Sequence, residues 1–286
     1  MKTIALKDGA DFDGWRSAAR TLLLADVPPE QLTWLVSGEA SLLLDQDELP
    51  LPVTAKPAPR IPVEFLGLMD ALICHSDPQR YGLAYRLLWR LTHGERNLLQ
   101  LITDPDVLRA RNAEKSVRRD SHKMKAFVRF REVLAADGEP LGASANNSVF
   151  IAWFEPAHYI VERIAPFFVR RFTGMRWSIL TPYRSAHWDG SALSYGKGAN
   201  KADAPSEDLF ETYWRTYFAN IFNPARLKVQ AMKSEMPMKY WKNLPEAELI
   251  PQLIHDARPR MAAMIEAAPT KPNQKIPAPA KRLPKP

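Results

Sequence analysis

The chain has 286 residues, of which 39 are Lys or Arg and 32 are Asp or Glu, giving a formal net charge of +7. Hydrophobic residues make up 46% of the sequence and aromatic residues 10%, which is enough apolar side chain for a buried core and excludes a wholly disordered protein. The single cysteine, Cys74, excludes a disulfide scaffold, a cysteine-based zinc site and a cysteine-ligated iron–sulfur cluster, and it favours a reducing, cytoplasmic setting.

The amino-terminal region predicts a strand, a helix and a second strand. Residues 3–6 suit a short strand, and Asp11 or Asp13 can cap a helix that has one apolar face. Residues 32–36 suit the second strand. The first residues lack the apolar run of a signal peptide, and no run in the chain approaches the ~20 residues of a membrane span. We therefore expect a cytoplasmic protein that makes no membrane contact.

Two proline-rich segments divide the chain, with five prolines within residues 50–62 and six within residues 269–286. Proline fixes φ and lacks an amide donor, so neither segment can be a helix interior or a central strand. We predict that residues 1–49 are a strand–helix segment of the main domain and that residues 50–62 are a surface connection. Residues 63–260 are predicted to form the main domain, and residues 267–286 a disordered tail or linker.

Helical patterns follow the first proline-rich segment. Residues 65–73 and 81–91 have the apolar spacing of helices. Asp77 and Asp104 are each followed by proline, which is typical of a helix start. Residues 206–221 have the most regular helical pattern in the chain, with aromatic side chains along one face.

The middle of the chain changes to strand patterns. Residues 149–154 and 177–183 are rich in aromatic and β-branched side chains, and Asp189-Gly190 predicts a hairpin turn. Residues 156–171 between them have a helical pattern. Because strands are preceded and followed by helices, we predict an α+β fold in which a small, mainly antiparallel sheet packs with several helices.

The positive charge is concentrated in two segments. Residues 109–131, which we call the basic stripe, contain nine basic and two acidic residues, a net charge of +7. Residues 267–286 contain five basic residues and no acid, so the rest of the chain sums to −5. Both helical and strand periods place the cations of the stripe on one face. We predict a helix to about Lys123 that runs into a strand near Phe127.

Clustered cations attract a polyanion, and counterion release makes nucleic-acid phosphate the best-matched one. The alternative is a solvated face whose cations pair with acids from elsewhere in the chain. The candidate nucleic-acid-binding residues lie in the stripe and in the helix predicted at residues 156–171: Arg118, Arg119, His122, Lys123, Lys125, Arg129, Arg131, Arg170 and Arg171.

Three residues are candidates for acid–base catalysis: His122, Glu155 and His158. His122 lies among cations that favour its neutral form, and a neutral imidazole beside phosphate could act as a general base. The alternative is that it makes one more polar contact. Glu155 and His158 have an E-x-x-H spacing, but one copy cannot form a di-metal site, so we predict no metal. The sequence has no dinucleotide or phosphate-loop motif, and we predict no cofactor.

Four long runs of sequence resemble an uncharacterised bacterial family associated with DNA metabolism and DNA repair. They are DPDVLRARNAEKSVRRDSHKMKAFVRFRE, FIAWFEPAHYIVERIAPFFVRRF, SEDLFETYWRTYFANIFNPARLK and EMPMKYWKNLPE. Members of that family occur beside a radical-SAM DNA-repair protein or are fused to a uracil-DNA glycosylase-like domain of the iron–sulfur type. The resemblance implies that residues 122–130 and 155–158 are the hallmark segments. It also implies that the proline-rich tail is a linker of the glycosylase-fused branch.

We therefore expect a nucleic-acid-binding accessory module in DNA repair. DNA is the expected ligand, and a uracil-DNA glycosylase-like domain or a radical-SAM repair protein is the expected partner. Two alternatives stay open. One is an enzyme that acts on nucleic acid or a nucleotide through His122, Glu155 and His158. The other is a protein–protein adaptor that docks a partner through the aromatic helix around Trp214.

Overall fold

The computed structural model describes residues 2–7, 9–36, 59–132, 149–203 and 229–266. These residues divide into two compact units. The first contains the described residues up to 203 together with Lys242–Leu244, and the second contains the other described residues from 229 onward. The main domain predicted at residues 63–260 therefore extends over both units.

The chain begins with a parallel pair of strands joined through a helix. Strand β1 (Lys2–Leu6) pairs with strand β2 (Leu32–Val36), and helix α1 (Phe12–Leu24) lies between them in the sequence. Asp11 caps α1, because its carboxylate accepts a hydrogen bond from the Gly14 amide at 2.8 Å. The apolar face of α1 is buried in the core of the first unit through Trp15, Ala18, Ala19 and Leu22.

Three helices complete that core. Helix α2 (Val63–Ile73) packs against both α3 (Arg80–Thr92) and α4 (Pro105–Phe127). The predicted start of α4 is observed: the Asp104 carboxylate accepts hydrogen bonds from two amides of the first turn at 3.0 and 3.1 Å, and Pro105 is the first helical residue. Since proline has no amide hydrogen, it leaves no unsatisfied donor there.

Arg80 is a buried cation that joins three parts of the first unit. Its side chain is 3% exposed and donates hydrogen bonds to the carbonyl oxygens of Ile73, Asp77 and Gly9 at 3.0, 3.0 and 2.6 Å. The guanidinium also lies 4.9 Å from the ring centroid of Tyr159. A guanidinium is planar and weakly hydrated, so carbonyl oxygens and ring faces can satisfy it.

The end of α4 differs from the prediction. The helix continues to Phe127, and the amide of Val128 still donates to the carbonyl oxygen of Met124 at 3.1 Å. The predicted strand is reduced to β3 (Arg131–Glu132). Val117 and Met124 lie seven residues apart on the buried face of α4, so packing on that face outweighs the alternation that also fits a strand.

The first unit also contains a five-stranded sheet with the order β3-β4-β5-β6-β7. Its other strands are β4 (Val149–Trp153), β5 (Arg176–Leu180), β6 (Arg184–Trp188) and β7 (Leu193–Lys197). Neighbours are antiparallel except β4 and β5, which are parallel because helix α5 (Val161–Arg171) connects them. This arrangement confirms the predicted α+β fold with a mainly antiparallel sheet. Helix α5 starts five residues later than predicted.

The predicted hairpin turn joins β6 and β7. Gly190 has φ of +100°, a left-handed conformation that glycine adopts without strain. The Asp189 carboxylate accepts hydrogen bonds from the amides of Ala192 and Ser191 and from the Ser191 hydroxyl, which lower its pKa to about 2. Asp189 is therefore explained by the turn.

The second unit is helical in its described part. Its α-helices are α6 (Val229–Glu235), α7 (Ile250–His255) and α8 (Ala257–Glu266). The aromatic helix predicted at residues 206–221, which includes Trp214, lies outside the described residues. So do the proline-rich tail and most of the first proline-rich segment.

Candidate nucleic-acid interface

Two arginines in the first two turns of α4 are paired with acids. Arg109 donates to the Asp77 carboxylate at 2.5 Å and to the Gln79 side-chain oxygen at 2.9 Å. Arg111 forms an ion pair with Glu64 on α2. These two arginines of the basic stripe are therefore matched by carboxylates from α2 and from the loop between α2 and α3. Lys115, further along α4, is exposed and forms no ion pair with the described residues.

Helix α3 contributes two more paired arginines beside the start of α4. Arg86 holds the Asp106 carboxylate through two nitrogens, at 2.7 and 2.9 Å. Arg90 contacts Asp104 at 2.6 Å and Glu95 at 2.7 Å. Hydrogen bonds from Arg90 and Arg86 hold the pKa values of Asp104 and Asp106 below their usual range. These ion pairs therefore connect α3 to the start of α4.

The carboxyl-terminal half of α4 is different. Arg118, Arg119, His122 and Lys125 are exposed. Arg118 and Arg119 make no ion pair with any residue that the structure describes. Lys123 is half-buried and lies over the ring of Phe127. Within one helix, the cations thus change from acid-paired to solvent-facing.

Helix α5 brings further cations to the end of α4. The Lys125 ammonium lies 5.0 Å from the ring centroid of Phe167 on α5. Arg170 and Arg171 follow Phe167 on the next turn of α5, and both are exposed. The carboxyl-terminal ends of α4 and α5 therefore contribute cations to neighbouring parts of the surface.

The extended residues after α4 are held against the same helix. The Phe130 ring packs edge-on against Phe168 and Phe172, with centroid distances of 5.9 and 5.2 Å. Its neighbours Arg129 and Arg131 are half-buried. We call the resulting set of predicted residues the basic surface: Arg118, Arg119, His122, Lys123, Lys125, Arg129, Arg131, Arg170 and Arg171.

His158 anchors the loop before α5 to α4. It is 8% exposed, and its ring contacts the Ser76 hydroxyl at 3.1 Å and the Ser116 hydroxyl at 2.8 Å. One turn further along α4, the Asp120 carboxylate accepts hydrogen bonds from the amides of Ala157 and His158 at 2.8 and 3.0 Å. The E-P-x-H segment is thus fastened to two successive turns of α4.

The hydrogen bonds of His158 define its tautomer. The backbone amide of Ser76 points at Nδ1 from 3.2 Å, and an amide can only donate, so Nδ1 is unprotonated. Nε2 then carries the proton and donates to the Ser116 hydroxyl. In this state His158 cannot take a proton from Ser116, so the arrangement is that of an anchor and not of an activated serine.

The three predicted catalytic residues have separate environments. His122 is exposed on the basic surface, whereas His158 is buried. The Glu155 carboxylate accepts hydrogen bonds from Lys242 at 2.7 Å and from the Trp153 indole at 2.9 Å. Burial acts to raise the pKa of Glu155, but the hydrogen bonds from Lys242 and Trp153 outweigh it and the pKa is lowered. Glu155 is therefore an ionised ion-pair partner.

A cleft of about 410 Å³ opens between α2, α3 and the start of α4. Leu72, Leu83 and Ala113 line it with apolar surface, and His75 and Asn112 contribute polar groups. None of these five residues was predicted as a site residue, since they come from three helices and a loop and share no motif. The only local signal is that His75 lies two residues before Asp77-Pro78, the predicted start of α3.

His75 is held in one orientation at the edge of this cleft. Its Nδ1 accepts a hydrogen bond from the Asp77 amide at 3.0 Å, and its ring stacks on His158 at 4.4 Å. Burial lowers the pKa of His75; Asp77 opposes this shift, and the charges of Arg80 and Arg109 add to it. The neutral ring therefore presents Nε2–H as a donor.

The described ranges contain no group of three or more His, Cys, Asp or Glu side chains that could hold a metal ion. In the same ranges, no helix combines the length and the apolar character needed to cross a membrane.

Fold and surface together define an α+β protein in which one long helix bears acid-paired cations at its start and a basic surface at its end. The chain belongs to DUF4130, a family of domains of unknown function whose model matches residues 78–246. Comparisons with curated proteins and with solved structures gave no match. The matched segment includes α3, α4, α5 and the five-stranded sheet, and so contains the whole basic surface.

Proposed function

We propose that this protein is a nucleic-acid-binding accessory module in DNA repair, and that its basic surface holds the phosphates. One observation carries the proposal. Arg109 and Arg111 at the start of α4 have carboxylate partners, whereas Arg118 and Arg119 are exposed and form no ion pair with the described residues. Exposed, clustered cations of this kind attract a polyanion, and counterion release favours nucleic acid.

The extent of the basic surface also suits a polymer. Arg118 and Lys125 are seven residues apart, which is roughly 10 Å along the helix axis. Cations spread over this distance, with more at the end of α5, match successive phosphates better than a single small anion. Arginine can also bind two phosphate oxygens at once, and most of the surface residues are arginines.

The repair context of the proposal comes from the family resemblance of the sequence. In this proposal a uracil-DNA glycosylase-like domain or a radical-SAM repair protein does the chemistry, and the present chain holds the DNA. A cytoplasmic location, which the single cysteine favours, belongs to the same proposal.

The test is fluorescence anisotropy with labelled duplex and single-stranded DNA over a series of salt concentrations. We expect log K to fall linearly with log salt, by about 0.9 per phosphate contact on duplex and about 0.7 on single strands. Reversing two charges with Arg118→Glu and Arg119→Glu should weaken binding by on the order of tenfold or more and reduce the salt slope.

A matched control keeps the change in net charge constant. Arg16 and Arg20 are exposed on α1, four residues apart, and Arg16→Glu with Arg20→Glu alters the protein's charge by the same amount. We expect this variant to bind DNA nearly as well as the wild type. Equal weakening by both double variants, or no salt-dependent binding at all, would overturn the proposal.

A further inference from the structure

We propose that the cleft beside His75 takes a nucleobase that has left its stack, so that single-stranded nucleic acid is the preferred ligand. This inference rests on the proposed function, because the basic surface supplies the phosphate contacts. It adds a second site and names the part of the nucleotide that the site binds.

One face of α4 carries residues of both the cleft and the basic surface. Leu108, Asn112, Lys115, Arg119 and His122 follow at i, i+4, i+7, i+11 and i+14, which is one helix face. The first two line the cleft, and the next two are exposed cations. Lys115 and Arg119 lie roughly 5 and 10 Å beyond Asn112 along the axis. When the phosphates of a nucleic-acid strand follow these cations, one of its bases lies within reach of the cleft.

The apolar lining of the cleft suits a flat ring. Leu72, Leu83 and Ala113 are buried beneath it, at 1, 2 and 7% exposure. Leu108 on its wall is 50% exposed, an apolar side chain with one side uncovered. Unstacked bases bind between aromatic or apolar side chains, and a cavity of about 410 Å³ is within the range of small-ligand sites.

Two polar side chains of the cleft, Asn112 and His75, are uncharged and keep groups that form no hydrogen bond with the described residues. The Asn112 amide forms no hydrogen bond with the described residues, and neither does Nε2–H of His75. The amide offers a donor beside an acceptor, the same kind of pattern that base edges present. The charges at the cleft, Asp77 and Arg109, neutralise each other at 2.5 Å. A neutral, planar, polar ligand therefore fits better than an ion.

Duplex DNA fits this site less well than single strands. Bases in a duplex are stacked and paired, so a duplex base can enter a cleft only after it is extruded, which costs the free energy of unstacking and unpairing. Single strands offer unstacked bases at lower cost. Base contacts of this kind contribute enough to change affinity severalfold per base.

The experiment compares two anisotropy probes of equal length and charge: a labelled single-stranded oligonucleotide and an abasic oligomer with the same phosphate backbone. We expect the wild type to bind the base-bearing probe about fivefold or more tightly than the abasic one. Asn112→Ala should reduce this ratio, and Asn112→Trp, which fills the cleft, should abolish it. Because Asn112 is exposed, both variants should keep the wild-type melting temperature and abasic affinity.

The outcomes separate the two proposals. Arg118→Glu with Arg119→Glu should weaken both probes alike and preserve their ratio. If the wild type binds both probes equally, or if the Asn112 variants leave the ratio unchanged, the nucleobase site is overturned and phosphate binding stands. Tighter binding of duplex than of single strand also overturns the nucleobase site. Failure to bind either probe overturns both proposals.

Discussion

The start and the end of α4 use arginines in opposite ways. At its start, Arg109 and Arg111 are held by carboxylates of neighbouring elements. At its end, Arg118 and Arg119 face solvent and form no ion pair with the described residues. The net charge of a segment therefore says little about binding by itself. What decides which cations are available to a ligand is where the fold places its acids.

The largest expected loss of stability comes from a buried side chain, Asp120, in the carboxyl-terminal half of α4. Asp120→Ala removes the acceptor of the Ala157 and His158 amides and leaves two poorly solvated donors. We expect the free energy of unfolding to fall by about 3 kcal/mol, measured by urea denaturation. Glu114→Ala on the same helix, which loses only a 3.6 Å contact with Arg111, should change it by less than about 0.5 kcal/mol. An Asp120→Ala protein as stable as the wild type would contradict the anchoring role.

The next effect concerns the start of α4, where the arginines are paired with acids. Asp104→Ala removes the cap of α4 from the amides of Asp106 and Val107, and one partner of Arg90. We expect a loss of about 1–2 kcal/mol in the free energy of unfolding, with no change in affinity for DNA. Arg111→Ala is the control, since its exposed ion pair is worth less than about 1 kcal/mol. Weaker DNA binding by Asp104→Ala would break the distinction between the start and the end of α4.

The smallest effect is a change in acid sensitivity. Because hydrogen bonds from Arg90 and Arg86 lower the pKa values of Asp104 and Asp106, the unfolded chain binds protons first as the pH falls below about 5, and stability decreases. Asp104→Asn keeps an oxygen for the cap but cannot titrate.

As the pH falls below about 5, the melting temperature of Asp104→Asn should therefore decrease less steeply than that of the wild type. Arg118→Gln, a change at the solvent-facing end of α4, serves as the control. Its melting temperature should decrease with falling pH as steeply as that of the wild type. An identical slope for Asp104→Asn and the wild type would show that Asp104 contributes nothing to it.

The two ends of α4 show how far the sequence could predict the fold. Its start was predictable because Asp104-Pro105 is a local signal that needs no tertiary partner. Its end was not, because residues 123–131 fit both a helical and a strand period. Burial of Val117 and Met124 decides between them, and burial depends on what packs against the helix.

The candidate site divides in the same way. Helical spacing predicted that the cations of the stripe share a face. It could not predict that Asp77 pairs with Arg109 or that Glu64 pairs with Arg111. The ring of His158 reaches serines 82 and 42 residues away in the sequence, and no spacing rule connects such positions. The cleft was missed for the same reason, since its lining comes from three helices and a loop.

Arg80 links the segment that the family model matches to residues that precede it. The family match begins at residue 78, yet the three carbonyl oxygens that accept from Arg80 belong to Gly9, Ile73 and Asp77. A fragment cut at residue 78 would retain the buried guanidinium and lose every one of these acceptors. We therefore expect a stably folded fragment to begin upstream of Gly9, well before the segment that the family model matches.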